Sequence, residues 1–566
     1  MRAFVTVGLE VAGLALGCLR IGAKDWFVAP GGTPFGLGTP AQPYDLGTAL
    51  SGQVGQPGDT FWLRGGNYRL GHLNTSVQGA PGSPVTFRQV SGENARIDGS
   101  LTIFNSPGYV TFRDFELYSS DTNRVSSQTN AGFNVTDIAL QPGAGAYAPN
   151  LSFINLVVHD QTRHGIYSAD TSYNTFVYGC VLFNNGWVSP DNAEGHGLYA
   201  QGNLGITTLE NNIVFNNAGA NMHVYANTTG GRLSGVTLNG NVAFNAGAIQ
   251  QVRTYRDWLV GVDAPAVSAD RIVLQNNMGY EPPGLPTYPE VQIGRDSTNG
   301  SVVLTDNYMP LGLLMNNWRS ATISGNLFAP KPTAYLVNLN QTLTPIDADW
   351  DDNTYVCDPT GGEVQFNVQS YSFSGWQAAT GFDLDSTFVI GALHGAKVFV
   401  RTNLFEPGRA NIIVYNWDDL ANVSVDVGSV LPLNSSFEVR NAQNFFAGPV
   451  LSGIFHGQRL QLPMTNLTVA PVNGPANGPL VAPPPTSPTF NVFVLVPIRK
   501  PIQIKLAGGS VQVSWAIGAG ANALQTTPDL TTGFWSYSTI TPAVVGDQYM
   551  ITEAPNLRKF YRLRPQ

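Results

Sequence analysis

Cysteine is almost missing from this chain. Cys18, Cys180 and Cys357 lie scattered through 566 residues, too few and too far apart for a disulfide framework or a metal knuckle. Charge is scarce too: 12% of residues are Asp, Glu, Lys or Arg, the formal net charge is −9, and no Lys/Arg-rich run occurs. That excludes the basic footprint that nucleic acid requires, so no nucleic-acid partner is expected. Past the N-terminus no apolar stretch reaches the ~20 residues of a membrane span. Lysine is absent from residues 160 to 260, which removes one common catalytic base from the most chemically varied part of the chain.

What is plentiful is turn-forming and strand-forming. With 62 Gly and 38 Pro, and many Asn, Thr and Val, the composition fits a turn-dense β protein with little helix. The opening "MRAFVTVGLEVAGLALGCLRIGAK" has an early Arg, an apolar run and a small-residue end at Ala23, the pattern of an export signal over 1–23. Its "LALGC" ending also matches a lipoprotein cleavage site at Cys18. Export to the periplasm, the cell surface or the medium is the expected localisation.

The chain repeats itself. "FINLVVHD" (153–160), "VYGCVLFNN" (177–185), "LENNIVFNN" (209–217), "LNGNVAFNA" (238–246), "LQNNMGYE" (274–281), "LTDNYMP" (304–310) and "ISGNLF" (323–328) align as one irregular unit. The segments are short, β-branched and bounded by Gly or Asn, so the repeat predicts coils of a parallel β-helix rather than a helical solenoid. Phe183, Phe215 and Phe244 share one repeat position and are expected to stack inside the coils. Asn184, Asn216 and Asn245 share the next and are expected to form a ladder at a turn.

An entry unit precedes the coils. Through "VAPGG", "LGTALSG" and "PGDTFWLRGGNYR", residues 25 to 71 resemble the N-terminal end of right-handed parallel β-helix proteins of the pectate-lyase-like superfamily. The resemblance covers roughly 25 to 330. It implies an all-β fold: a right-handed parallel β-helix over 24–395, with "LGTALSGQV" as a short helix capping the open end. It also implies a polysaccharide substrate, because the superfamily holds polysaccharide lyases, glycoside hydrolases, esterases and phage tailspikes. After about 395 the repeat gives way to alternating apolar and polar residues, which predicts a β-sandwich accessory domain over 396–498. That domain carries a Pro-rich insertion, 471–488, expected to form a linker and no core. A small all-β module follows at 499–566. A monomer is expected.

Two copies of His-Gly-aliphatic-Tyr stand out: "HGIY" at 164–167 and "HGLY" at 196–199. Aligned on the repeat, the second coil carries eight extra residues, "WVSPDNAE", Trp187 to Glu194, directly before "GHGLY". Removing them brings "HGIY", "HGLY" and "ANMH" into register. Ile166, Leu198 and Met222 then point inward, and Tyr167, Tyr199 and His223 form an outward column on three neighbouring coils. By parity His164 and His196 point inward unless the bend before the strand resets the alternation, so they stay open between groove residues and corner histidines.

Column and insertion together predict a groove. Tyr199, His223, His196, Glu194 and Asp191 are the catalytic candidates. Trp187 would serve as an aromatic platform, with Tyr167, His164, Arg253, Tyr255 and Arg256 binding substrate and the arginines forking onto a uronate or sulfate. Asp160 falls at the Asn184 position and is read as a turn residue. Two chemistries fit: β-elimination by a Tyr or His with an Arg on the carboxylate, or hydrolysis between Asp191 and Glu194, with Asp170 as a third acid. Elimination is the preferred expectation, hydrolysis the first alternative and non-catalytic polysaccharide binding the second. No cofactor is fixed; Ca2+ stays open, and no metal ligand is assigned. Every candidate lies upstream of 396, so the C-terminal parts are expected to be dispensable for the chemistry.

Overall fold

The computed structural model describes residues 23–565 except 105–106, 128, 130–140, 191–192, 203, 227–232, 251–254, 264–266, 283–289, 296, 331–334, 358–363, 475–479, 499–501, 517–521, 530–533, 546–547 and 556–557. The export signal and Cys18 lie outside these residues. Among the described residues no helix is long and apolar enough to cross a membrane.

Most coils contribute three short strands, which stack into three parallel sheets; near the first end the long strands Gly66–Thr75 and Ala95–Ile103 run through both the second and the third and join them. The first sheet stacks twelve strands from Asp25–Val28 to Asp347–Asp351. The second includes Glu116–Tyr118, Val157–His159, Val181–Phe183, Ile213–Phe215 and Val242–Phe244 in parallel register. The third includes Ala144–Ala146, Ile166–Ser168, Leu198–Ala200, Met222–Ala226 and Trp258–Val262. The fold is a parallel β-helix, as the repeat predicts. Its first end is covered by the helix Leu46–Leu50, whose first turn is capped by Asp45 accepting from the Thr48 amide at 2.8 Å. At the other end a helix, Phe373–Thr380, buries Phe373 and Trp376 against the same core.

The bend from the first sheet to the second explains the Asn-rich repeat. Asn212, Asn241, Asn277, Asn307, Asn326 and Asn353 form one ladder, each side-chain amide donating to the next at 2.8–3.0 Å. Each also accepts from a backbone amide of the coil before it, as in Asn212 N to Asn241 Oδ1. The ladder satisfies buried backbone groups that a tight bend would orphan. Asn184, Asn216 and Asn245 lie at the next bend, and there the expectation needs correction. All three take the left-handed backbone of a turn, yet only Asn245 and Asn216 are joined, at 2.6 Å. Asn184 donates to the Pro471 carbonyl instead.

The phenylalanines also need correction. Phe183, Phe215 and Phe244 stack with centroids 5.2 and 4.9 Å apart, but on the outside of the coils. The inward residues of those strands are Leu182, Val214 and Ala243, which belong to the solenoid core. The phenylalanine stack inside the solenoid is Phe61, Phe87, Phe112 and Phe153, 4.7 to 5.9 Å apart.

What covers the outer stack is a five-stranded antiparallel sheet, ordered Ala396–Thr402, Ala410–Asn416, Phe490–Pro497, Ser436–Asn441, Leu451–Ile454. One face shares a core with the two-stranded sheet Asn422–Val425 and Leu460–Pro463. The other buries Ile413, Tyr415, Phe490 and Val492 against Phe183, Phe215, Phe244 and Tyr280. Tyr415 donates to the Gly279 carbonyl at 2.8 Å and Asn403 to Asn155 Oδ1 at 2.7 Å. The Pro-rich segment does not hang free: Val472 and Leu480 pack with Val188, Ala218 and Ile249 at the corner of the coils. The Asn473 amide donates to Asp160 at 2.9 Å. Downstream, Gln503–Pro565 contributes a four-stranded and a three-stranded sheet.

Candidate functional site

The third sheet carries the column in the predicted register. Ile166, Leu198 and Met222 pair in line and are fully buried in the core; Tyr167, Tyr199 and His223 pair in line beside them and face out. Gly165 and Gly197 of the two copies let the coils close up. A Cβ on Gly197 would stand 2.2 Å from Val214 Cγ1, and one on Gly165 would meet the Gly197 carbonyl at 2.6 Å. The bend before each strand does reset the alternation, because His164 and His196 join the outward cluster. Their rings stack at 5.2 Å, and His196 lies 5.4 Å from Tyr199 and 3.9 Å from His223, centroid to centroid.

The insertion leaves the coil at a neck where two backbones touch. Gly186 and Gly195 both sit at φ 113°, and a Cβ on Gly195 would lie 2.2 Å from Gly186 Cα, so only glycine fits there. Beyond the neck Trp187–Val188 and Ala193–Glu194 pair antiparallel. This hairpin packs under the Pro-rich segment and is pinned by Arg124, whose guanidinium reaches the carbonyls of Gly186 and Asn184 and pairs with Asp160 at 2.9 Å. Trp187 is 0% exposed and offers no face to a ligand, which overturns its reading as a sugar platform. An exposed aromatic exists elsewhere: the column continues from Tyr167 through Tyr147 to Phe104, which stacks on Tyr147 at 4.8 Å and is 53% exposed.

Glu194 lies within the electrostatic reach of Tyr199 and Tyr255, and the Tyr255 hydroxyl donates to the Ala193 carbonyl at 2.7 Å. Burial pushes the Glu194 carboxyl up to about 7, partly opposed by the Arg163 guanidinium. Burial and Arg163 together push His196 down to about 3. Burial and neighbouring His196 hold His164 and His223 well below the usual histidine range as well. Burial raises the tyrosines, Tyr255 to about 12. Near neutral pH the cluster therefore combines neutral imidazoles with a carboxyl poised between its acid and base forms.

Several of these groups lack partners. His164 Nδ1 accepts from the His196 amide at 3.1 Å, so its Nε2 carries the proton, and that N–H meets no acceptor among the described residues. His196 Nδ1 and His223 Nδ1 are buried without a partner as well. The tyrosines are served: Tyr199 accepts from Gln201 Nε2 at 3.0 Å and Tyr167 donates to Gln201 Oε1 at 3.1 Å. Buried polar atoms are almost always bonded, so three orphaned nitrogens on one face mark a place prepared for something else.

Asp191 and Arg253 lie outside the described residues. Arg256 is half-buried next to Tyr255 in the chain. Asp170 acts on Tyr167 electrostatically. Asp160 is the expected turn residue, at φ 55°, and it also anchors His159 at 2.8 Å and Arg124. Three residues were missed. Arg163 is felt by His164, His196, Glu194, Tyr167 and Tyr199 alike; its place directly before "HGIY" was the available signal. Tyr225 stacks on His223 at 4.7 Å and follows it by two residues, the spacing of a shared face. Arg295 lies over the Tyr225 ring at 5.7 Å and pairs with Asp263 at 3.4 Å, and nothing in the repeat announces it. Among the described residues no group of three or more His, Cys, Asp or Glu is placed to hold a metal ion.

Coils, registers and column define a parallel β-helix protein with a titratable cluster on its third sheet. No family model matches the chain, and no curated protein does. Among solved structures it is similar to a pectate lyase, at 12% identity over 61% of this chain and 77% of that one, with a TM-score of 0.34. A lacto-N-biosidase from Eubacterium ramulus matches at 12% identity over 65% and 68%, TM-score 0.35. A tailspike of an Acinetobacter baumannii bacteriophage, titled a capsular polysaccharide depolymerase, matches at 10% over 77% and 79%, TM-score 0.32. Likeness at this level carries nothing about the reaction.

Proposed function

We propose that this chain is an exported enzyme that cleaves an acidic polysaccharide by β-elimination at the His/Tyr column. The observation that carries the reading is the set of orphaned, neutral histidine nitrogens beside the Arg163 charge. In such a reaction Arg163 pairs with the uronate carboxylate and makes the adjacent C–H more acidic. His196, neutral across the physiological range, takes that proton. The C–H electron pair becomes the new C=C bond as the glycosidic C–O bond breaks, and the protonated Glu194 carboxyl gives its proton to the leaving oxygen. Tyr199 and His223 flank His196, their ring centroids 5.4 and 3.9 Å from it. The stack Tyr167, Tyr147, Phe104 gives an extended chain aromatic surface leading away from the cluster.

The raised Glu194 favours a second reading, hydrolysis with Glu194 as general acid and another carboxylate opposite. One experiment separates the two. The purified protein is incubated with a panel of acidic and neutral polysaccharides while ultraviolet absorbance of unsaturated uronates and new reducing ends are followed together. Unsaturated product establishes elimination, and reducing ends alone establish hydrolysis. Neither signal across the panel makes the column a binding surface and sinks both readings.

A further inference from the structure

The second sheet changes character along its length. Its outward positions run Arg69, Asp98, Tyr118, His159, Phe183, Phe215, Phe244 in continuous register. From His159 onward the row lies under the antiparallel sheet, with Phe446 against His159 at 5.4 Å. Before it no sheet among the described residues covers the row, and there a cleft of 570 Å³ opens, reaching from Arg69 and His72 to Gln161 and Thr162. Thr162 is the neighbour of Arg163 in the chain.

The cleft's charges are not equivalent. Asp98 is engaged, accepting from the Ser120 amide at 2.8 Å and its hydroxyl at 2.7 Å. Asp121 accepts from the Asn123 amide at 2.8 Å. His72 Nδ1 meets the Ser100 hydroxyl at 2.8 Å, leaving Nε2 toward solvent. Arg69 is exposed and has no hydrogen bond or ion pair among the described residues. The far wall is held by the Pro-rich segment: Asn473 donates to the Ser119 carbonyl at 2.9 Å. The cleft thus has a fixed wall, two aspartates held by neutral hydrogen-bond donors, and the Arg69 guanidinium on the strand next to Asp98.

We infer that this cleft is an acidic-sugar subsite, in which Arg69 and His72 hold the carboxylate of a uronate several units away from the bond that is cut. The inference rests on the reading of the column as the cleaving site. Arg69 lies three coils before Arg163, on the order of 14 Å at the strand spacing of a sheet, so a disaccharide bound at the column cannot reach it and a longer chain can. A forked guanidinium on a carboxylate is the most directional contact available to such a unit.

The test is calorimetric binding of six-unit oligogalacturonate and oligomannuronate, with the disaccharides and a neutral six-unit glucan as controls, to the full chain and to Arg69→Gln and His72→Gln. Both side chains are exposed, so folding is undisturbed. For whichever acidic hexamer binds, Arg69→Gln is expected to weaken affinity about tenfold, the effect of one lost charge-assisted contact, and to leave disaccharide affinity and kcat unchanged. Equal hexamer affinity in the variant overturns the subsite, and so does an equal loss for the neutral glucan. Those results are independent of Arg163→Gln, which tests the column: if Arg163→Gln leaves turnover intact, the cleavage reading falls whatever the cleft binds.

Discussion

The second and third sheets present two aromatic columns built by the same coils, and the two are opposites. On the second, Phe183, Phe215 and Phe244 stack in parallel and disappear beneath another sheet, with His159 stacked on Phe183 at 4.9 Å. On the third, His164, His196, His223 and Tyr199 pack as closely, yet three ring nitrogens have no partner. Both are buried, so burial does not separate a docking face from a chemical one. What separates them is the chemistry of the rings: those of the phenylalanine column carry no polar atom, and those of the other carry three nitrogens without a partner among the described residues.

The largest break in this comparison comes from removing the cover. A chain ending after residue 395 bares Phe183, Phe215, Phe244 and Tyr280 together, an apolar patch of the kind that drives association. It also releases the segment holding Asp160. We expect insoluble or aggregated protein by size-exclusion chromatography, contrary to the dispensability the sequence led us to expect; a soluble, active monomer would refute the docking account. Next comes the chemistry. Arg163→Gln or His196→Gln should cost ~10²–10⁴ in turnover with Tm little moved, whereas Phe215→Ala should cost about 3–5 kcal/mol in unfolding experiments and leave kcat of the folded fraction alone. The two columns would then respond in opposite assays.

A pH profile sharpens the contrast. Glu194 keeps its proton up to about 7, so an activity that needs the acid form declines as pH rises through that value. Glu194→Gln should lose most activity and the decline with it. A profile unchanged in shape would remove Glu194 from the proton path. The smallest effect belongs to the border. His159, between Glu116 at 3.1 Å and Asp160 at 2.8 Å, is held above the ordinary histidine value of 6.5 by those carboxylates, which outweigh its burial. Its contribution is complete below 6.5 and fades as pH climbs through the raised value. Denaturant midpoints should therefore drop modestly on the alkaline side, and His159→Phe, which keeps the stack, should abolish that slope.

Legibility followed alternation. Ile166–Tyr167, Leu198–Tyr199 and Met222–His223 each pair an aliphatic with a polar aromatic, so parity assigned the third sheet correctly, and the eight-residue excess located the hairpin with its glycine neck. Val181, Leu182 and Phe183 are all apolar because both sides are buried. Such a strand contains no information about which side is inward, and the phenylalanines were placed inside. Trp187 was misread for a related reason: a loop insertion reads as exposed, and only the distant Pro-rich segment makes it a buried layer. Arg163 was visible but bland, since nothing in a lone arginine tells how many titratable groups lie around it.

The Pro-rich segment has one more consequence, for the order in which the molecule can form. It connects Leu460–Pro463 to Phe490–Pro497, and the latter is the middle strand of the five-stranded sheet, flanked by Ala410–Asn416 and Ser436–Asn441. That sheet stays open at its centre until the chain has crossed the solenoid corner at Asp160 and Ile249 and come back. Contacts so distant in sequence are slow to close. During synthesis the coils emerge first, so the solenoid acts as the template on which the later sheet is completed, and an error in the coils around 160 to 250 would surface as a folding failure more than two hundred residues downstream.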